Sequence, residues 1–169
     1  MGNNSKKVYL AGAIEYAEDH GATWRKTAQE LLEKKNIEVF NPCNAEIKLV
    51  LEKHKLKDAT EFKSLKNKDI HRYIECMRDI KKLDLAELSS SDVVLVYIDK
   101  VLCTKPNSGT SGELTLANHM YSIPIIALIA DDITMIDIPG WLLACFTKTV
   151  DNLDSAIKVI EDERSWTRL

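Results

Sequence analysis

The sequence predicts a single α/β domain: a flavodoxin-like or Rossmann-like sandwich with a five-stranded parallel sheet and helices on both faces. Three observations carry this. Short apolar runs alternate along the chain with segments of helical periodicity, the order expected of parallel strands joined by right-handed crossovers. Most runs are apolar at consecutive positions, as strands covered on both faces must be. The 169 residues, 45% hydrophobic and 29% charged, are enough for one core and ordinary for a globular chain.

Val8-Tyr9-Leu10-Ala11-Gly12 reads as the first strand, ended by a glycine. A helix follows, with Trp24, Ala28 and Leu31 on one face and Asn36 as its stop. Ile37–Phe40 reads as the second strand, closed by Asn41-Pro42. Residues 44–68 are charged and lysine-rich; they read as a helical insert outside the sheet, with its lysines on a solvated face.

The segment 69–88 predicts a long helix. Ile70, Tyr73, Ile74, Met77, Ile80 and Leu88 fall on one stripe at about 100° per residue. Asp84 sits inside that stripe, four residues after Ile80 and four before Leu88. A carboxylate on a core face is costly unless it is paired, hydrogen-bonded or opens onto a cavity. Asp84 is therefore either a structural hydrogen-bonding group or a functional one. Asp79 points off the stripe, toward solvent.

Asp92–Asp99 reads as a central third strand and Ile123–Ile129 as a fourth. Cys145-Phe146-Thr147 begins a fifth, and Leu153, Ala156, Ile157 and Ile160 mark a terminal helix.

Between the third and fourth strands lies Asn107-Ser108-Gly109-Thr110-Ser111-Gly112-Glu113-Leu114, a Gly/Ser/Thr stretch that runs into the helical pattern Leu114, Leu116, Ala117, Met120. Glu113 is expected at the first turn of that helix. There the macrodipole favours its ionised form, and backbone N–H groups stand ready for a substrate. A fixed, ionised carboxylate of this kind suits covalent attack on a sugar carbon. Thr110 and Glu113 equally fit a capping box, in which each satisfies the other's backbone N–H. In parallel sheets ligands bind beyond the carboxyl ends of strands, near a topological switch. Gly12 and Asp99 mark the ends of strands one and three, so they share one rim with the Glu113 loop.

Other function classes are disfavoured. A formal net charge of -3 gives no basic field to recruit a nucleic acid polymer. No stretch is long and apolar enough to cross a membrane. Met1–Lys7 is short and polar, without the apolar core of a signal peptide, so a cytoplasmic protein is expected. Cys43, Cys76, Cys103 and Cys145 are widely spaced and read as reduced thiols. His20, His54, His71 and His119 show no ligand spacing, so no metal site is expected.

Three separated motifs resemble the nucleoside 2-deoxyribosyltransferase family, which includes the related deoxynucleoside monophosphate N-glycosidases. Val8-Tyr9-Leu10-Ala11-Gly12 resembles the family's first strand, whose tyrosine orients the nucleophile. Asp84, followed eight residues later by Ser91-Asp92-Val93, resembles its conserved-spacing aspartate and the opening of its third strand. Gly109-Thr110-Ser111-Gly112-Glu113-Leu114 with Ala117 resembles its catalytic glutamate loop. Trp24-Arg25 and Asn41-Pro42 also recur in relatives. The resemblance spans most of the chain and implies one domain over 1–169, with the lysine-rich insert at about 44–68.

What it implies for chemistry is a retaining mechanism. Glu113 would attack C1′ of a 2-deoxyribosyl group, Asp84 would assist departure of the base, and Tyr9 would hold Glu113. Gly12, Ile14, Trp24, Arg25, Asp99, Asn107, Ser108, Gly109, Thr110, Ser111 and Gly112 would line the substrate site. The deoxyribosyl group of a nucleoside or nucleotide would pass to an acceptor base. Water as acceptor would make the chain an N-glycosidase of deoxynucleoside 5′-monophosphates. A module that binds a nucleotide without turnover is the alternative from another class. No metal or redox cofactor is required, and the implied assembly is a homo-oligomer. The chain departs from the family at Asn107. Transferases carry an aspartate six residues before the glutamate and monophosphate glycosidases a serine, so base preference and the choice of acceptor stay open.

Overall fold

A computed structural model describes residues 6–105 and 107–166; the segment Met1–Ser5, read above for targeting, lies outside them. Five strands form one sheet: β1 Lys7–Gly12, β2 Glu38–Phe40, β3 Val93–Ile98, β4 Ile125–Ile129 and β5 Lys148–Val150. All pairings are parallel and the order is β2-β1-β3-β4-β5. The chain leaves β1 for β2 on one side and returns to β3 on the other. The carboxyl ends of β1 and β3, with Gly12 in register with Tyr97, therefore form the topological switch. The expected doubly covered α/β sandwich is the observed fold.

Helices α1 (Ala22–Glu33) and α8 (Leu153–Glu161) cover one face of the sheet. Ala28 and Leu32 of α1 and Ala156, Ile157 and Ile160 of α8 pack there on Val8, Leu10, Val93, Leu95 and Ile126. The other face carries Tyr9, Ala11, Val94, Val96 and Ala127 beneath Leu88 and Leu114. These belong to α4 (Ile70–Ser89) and α6 (Ser108–His119). The short helices α5 (Lys100–Thr104) and α7 (Gly140–Leu143) complete that side. Among the described residues no helix is long and apolar enough to cross a membrane.

The stretch expected as an insert forms α2 (Pro42–His54) and α3 (Ala59–Lys68). Both pack on α4 around a separate core of Val50, Leu56, Leu65, Cys76 and Ile80. That packing rotates the buried face of α4 away from the predicted stripe. Cys76, Ile80, Asp84 and Leu88 are buried, whereas Ile70, Ile74 and Met77 are 47%, 39% and 38% exposed. Asp79 is not left to solvent either: Lys53 Nζ donates to it at 2.6 Å, and His54 Nε2 lies 2.8 Å away. Nor are all the insert's lysines simply solvated. Lys63 Nζ meets His20 Nε2 at 2.6 Å and Lys66 Nζ meets Glu15 at 2.8 Å, tying α3 to the β1–α1 loop. On α1 the buried line is Arg25, Ala28 and Leu32, with Trp24 and Leu31 at its margin. The fifth strand starts at Lys148, not Cys145, because Cys145 still closes the α7 turn through its N–H to Leu142 O.

Candidate active site

Strand alternation sends Tyr9, unlike its neighbours Val8 and Leu10, to the α4/α6 face. Its ring stacks on Phe40 with centroids 5.2 Å apart. Its hydroxyl donates to Glu113 Oε1 at 2.9 Å. Glu113 is not in the first helical turn. Helix α6 opens at Ser108, with Asn107 at the N-cap position but making no side-chain cap, so Glu113 is its sixth residue, and no acidic side chain stands in its first turn. The expected capping box is absent, since Thr110 Oγ1 instead donates to Gly12 O at 3.0 Å. That bond pins the start of α6 to the end of β1 and so sets Glu113 over the strand's carboxyl end.

Asp84 comes from α4, one turn before Leu88, and is 6% exposed. Among the described residues its buried Oδ1 has no hydrogen-bond partner. Glu46 of α2, which the sequence reading passed over, lies close enough to Asp84 and Glu113 for their charges to act on one another. The signal for Glu46 was present: Pro42, Glu46 and Val50 form a line at spacing four whose two ends are buried, as Ile80, Asp84 and Leu88 do.

Three neighbouring carboxyl groups cannot all be ionised cheaply. Burial raises the Asp84 pKa first, and the neighbouring charges of Glu46 and Glu113 add to it. Burial likewise raises Glu46, followed by the charge of Glu113. Glu113 is pushed up by burial, but the Tyr9 hydrogen bond and the Arg25 charge oppose the shift. Tyr9 is driven far up, by burial and then by Glu113 and Asp84, and stays a neutral donor. The charge of Glu113 raises both Asp84 and Glu46, whereas the Tyr9 hydrogen bond and the Arg25 charge work against the rise at Glu113 itself.

Arg25 is fully buried. Its Nη1 donates to Gly21 O at 3.0 Å and its Nη2 to Gly12 O at 2.9 Å, so the guanidinium shapes the β1–α1 loop. Two glycines make room for it. Gly21 has φ +68, and a Cβ there would collide with Arg25 Nη1 and Ala13 O. Gly12 has φ +153, and a Cβ there would lie 3.2 Å from Trp24 Cζ2. Trp24 itself packs with Tyr97 on the face away from Glu113.

The remaining predicted residues line the rim. Asp99 caps α5 by accepting from Leu102 N at 2.7 Å. Asn107 Nδ2 donates to Lys105 O at 2.7 Å and Val101 O at 3.1 Å, folding the approach to α6. Ser108, Gly109 and Gly112 are exposed and Ser111 partly so. A side chain added at Gly109 or Gly112 would meet open space. Ser111 N–H makes a helical bond to Asn107 O at 3.0 Å; the amides ahead of it have no partner within the helix. Ile14 lies partly buried in the β1–α1 loop, its carbonyl 3.3 Å from His20 Nδ1. The structure thus gathers Tyr9, Asp84, Glu113, Thr110 and Gly12, with Arg25 behind them, and leaves Trp24 on the other face. Among the described residues no group of three or more His, Cys, Asp and Glu side chains is placed to hold a metal ion.

No protein-family model matches the chain, and no curated protein matches it either. Among solved structures it is similar to a 2-deoxyribosyltransferase from the psychrotolerant bacterium Bacillus psychrosaccharolyticus, an enzyme described as a biocatalyst for nucleoside synthesis. The two share 16% sequence identity with a TM-score of 0.63 over 96% of each chain. The likeness establishes a common fold from end to end.

Proposed function

We propose that the chain cleaves the N-glycosidic bond of 2′-deoxynucleosides or their nucleotides and transfers the deoxyribosyl group to an acceptor base. The observation that carries this is the pairing of two carboxyl environments at the β1/β3 switch. The Tyr9 hydroxyl donates to Glu113 Oε1 at 2.9 Å and opposes the rise that burial imposes on the Glu113 pKa, while burial and its carboxylate neighbours push the Asp84 pKa up to about 9. Two carboxyls pushed to different protonation states divide into a nucleophile and an acid. The fold shared with a 2-deoxyribosyltransferase supports the same reading.

In the first step Glu113 attacks C1′ as the bond from C1′ to the base nitrogen breaks. The bonding electrons go to the base, which takes a proton from Asp84. In the second, an acceptor base displaces Glu113 from C1′ and returns a proton, so the configuration at C1′ is retained. The open rim at Ser108, Gly109 and Gly112 would take the rest of the substrate.

Rapid quenching after incubation with a 2′-deoxynucleoside, followed by intact-mass spectrometry and peptide mapping, tests this. One deoxyribosyl group on Glu113 is expected, discharged by an added base. Accumulation of free deoxyribose with a fleeting adduct would make water the acceptor. An adduct on another residue, or inverted C1′ products with no adduct, would overturn the nucleophile. Tight nucleotide binding that survives Glu113→Ala with no base release by the unsubstituted protein would leave a binding module.

A further inference from the structure

Arg25 is fully buried, yet its hydrogen bonds among the described residues all go to main-chain carbonyls: Gly12 O at 2.9 Å, Gly21 O at 3.0 Å and Ala13 O at 3.4 Å. Its Nε has no partner among them. A buried charge without a charged partner is costly. What the position gains in return is a planar fork that reaches several acceptors at once.

The fork reaches a junction. Gly12 ends β1, Ala13 opens the β1–α1 loop, and Gly21 closes that loop at the N-cap of α1. The same Gly12 oxygen accepts from Thr110 Oγ1 at 3.0 Å. A carbonyl oxygen has two lone pairs, so it can take both donors. One oxygen at the end of β1 therefore joins α1 to α6. Thr110 is itself buried. Glu113 follows it by three residues, which makes the two side chains neighbours on the helix surface. The placing of Thr110 on Gly12 O thus bears on the carboxyl that Tyr9 reaches at 2.9 Å.

We infer that Arg25 is a positioning residue for Glu113: by sharing the Gly12 carbonyl with Thr110, it holds the β1–α1 loop and the start of α6 in one register, and that register sets Glu113 against Tyr9. The part Glu113 plays rests on the function proposed above. Lysine does not substitute for this arginine, because one ammonium on a flexible stem lacks the fixed fork that spans Gly12 O and Gly21 O. The arginine charge also acts on Glu113, so charge and position must be told apart.

A double-substitution cycle on the intact chain does this, with Arg25→Lys, Thr110→Val and both together. The first readout is NMR titration of the Glu113 carboxyl carbon. The other groups facing it, Tyr9, Asp84 and Glu46, stay unchanged. Thr110→Val removes the donor and alters no charge. Glu113 should then titrate at higher pH, because the Tyr9 bond that lowers its pKa is loosened. Arg25→Lys should raise it too, and by less once Thr110 is Val, since the link through Gly12 O is already cut. The effect of charge is common to both backgrounds, so the difference belongs to position. An equal Arg25→Lys shift in both backgrounds would show that Arg25 acts by charge alone, and the inference would fall. It would fall equally if Thr110→Val left the Glu113 titration in place. Should Arg25→Lys not fold, Arg25→Gln, which keeps an N–H donor group, completes the same cycle.

The second readout is base release per folded molecule. Either single substitution should lower kcat by roughly 10- to 100-fold, as a misplacement of about 1 Å does, with KM moved far less. The double variant should be little slower than the slower single one. Lower melting temperatures with kcat unchanged would make Arg25 a support of the fold only. If the unsubstituted protein released no base, the proposed function itself would fall, while the titration cycle would still decide whether Arg25 positions Glu113.

Discussion

The two faces of β1 are built from adjacent residues and obey opposite rules. Val8 and Leu10 face α1 and α8 and meet buried apolar side chains there. Tyr9, between them, faces α4 and α6 and carries its hydroxyl to Glu113, with Asp84 and Glu46 close by. The first face gains stability from every apolar group it removes from water. The second buries carboxyl groups, which is unfavourable unless they are protonated or hydrogen-bonded. A fold that places both on one strand separates the work: one face holds the sheet together, and the other carries a destabilising cluster to which the proposed function gives a use. Substitutions on the two faces should therefore separate turnover from stability.

The largest effect on turnover is expected at Glu113. Glu113→Ala removes the proposed nucleophile, so base release per folded molecule should drop by at least about 10⁴-fold. Its melting temperature should hold or rise, because a buried carboxyl is lost. Chromatography of free bases and thermal melts check both. Comparable turnover in a well-folded Glu113→Ala protein would remove the functional meaning of the second face.

Asp84→Asn comes next, with base release slowed by about 10²- to 10⁴-fold, the range for a general acid. Its stability carries a sign that can be worked out. The folded pKa of Asp84 lies above that of the unfolded chain. At pH below the ordinary carboxylate range both states hold the proton and there is no penalty. As pH climbs toward the raised folded values, the unfolded chain ionises while the folded one keeps its proton, so stability falls with rising pH. Asp84→Asn should flatten that fall. A melt profile that instead drops at every pH would mark Asp84 as a structural hydrogen-bonding group.

Most of this molecule was legible in the sequence where local pattern and tertiary demand agree. The apolar runs around Leu10, Leu95 and Ile126 could only be covered strands, and they are. Asp84 stood out because Ile80 and Leu88 bracket it. What misled was context that a single helix cannot carry. The stripe through Ile70, Ile74 and Met77 is genuine periodicity, but α2 and α3 settled on the neighbouring line through Cys76 and Ile80. Glu113 lies one turn further into α6 than the glycines and serines before it suggest, because Ser108–Gly112 take helical geometry, with Thr110 bonded to Gly12 O. Glu46 was hidden in a segment whose lysines drew attention to its solvated side.

Tyr9→Phe should have a smaller effect than either carboxyl substitution. The ring and its stacking on Phe40 remain, and only the donor to Glu113 is lost. A hydrogen bond to a charged group contributes about 1.5–3 kcal/mol, so base release should slow by roughly 10- to 100-fold. The Tyr9 hydroxyl lowers the Glu113 pKa, and without it that pKa rises further. Because the proposed nucleophile would attack as the anion, the acidic limb of the pH–rate profile should move to higher pH. Slower base release with the acidic limb in place would mean that Tyr9 acts on something other than the charge of Glu113.

The smallest effect on turnover belongs to the far face, and there the stability loss should be among the largest. Ile160 of α8 is fully buried against β1, β3 and β4 and has no part in the carboxyl cluster. Ile160→Ala removes three carbons from a packed site and should cost about 2–5 kcal/mol, depending on how far the cavity collapses. Denaturant titration would show this as a lower midpoint with little change of slope. Sites that share no contacts act independently, so turnover per folded molecule and both limbs of the pH profile should stay where they are. If Ile160→Ala instead moved the alkaline limb, the sheet would be transmitting strain from one face to the other. Stability and chemistry would then be coupled through β1 itself, through the alternation that sets Tyr9 against Val8 and Leu10.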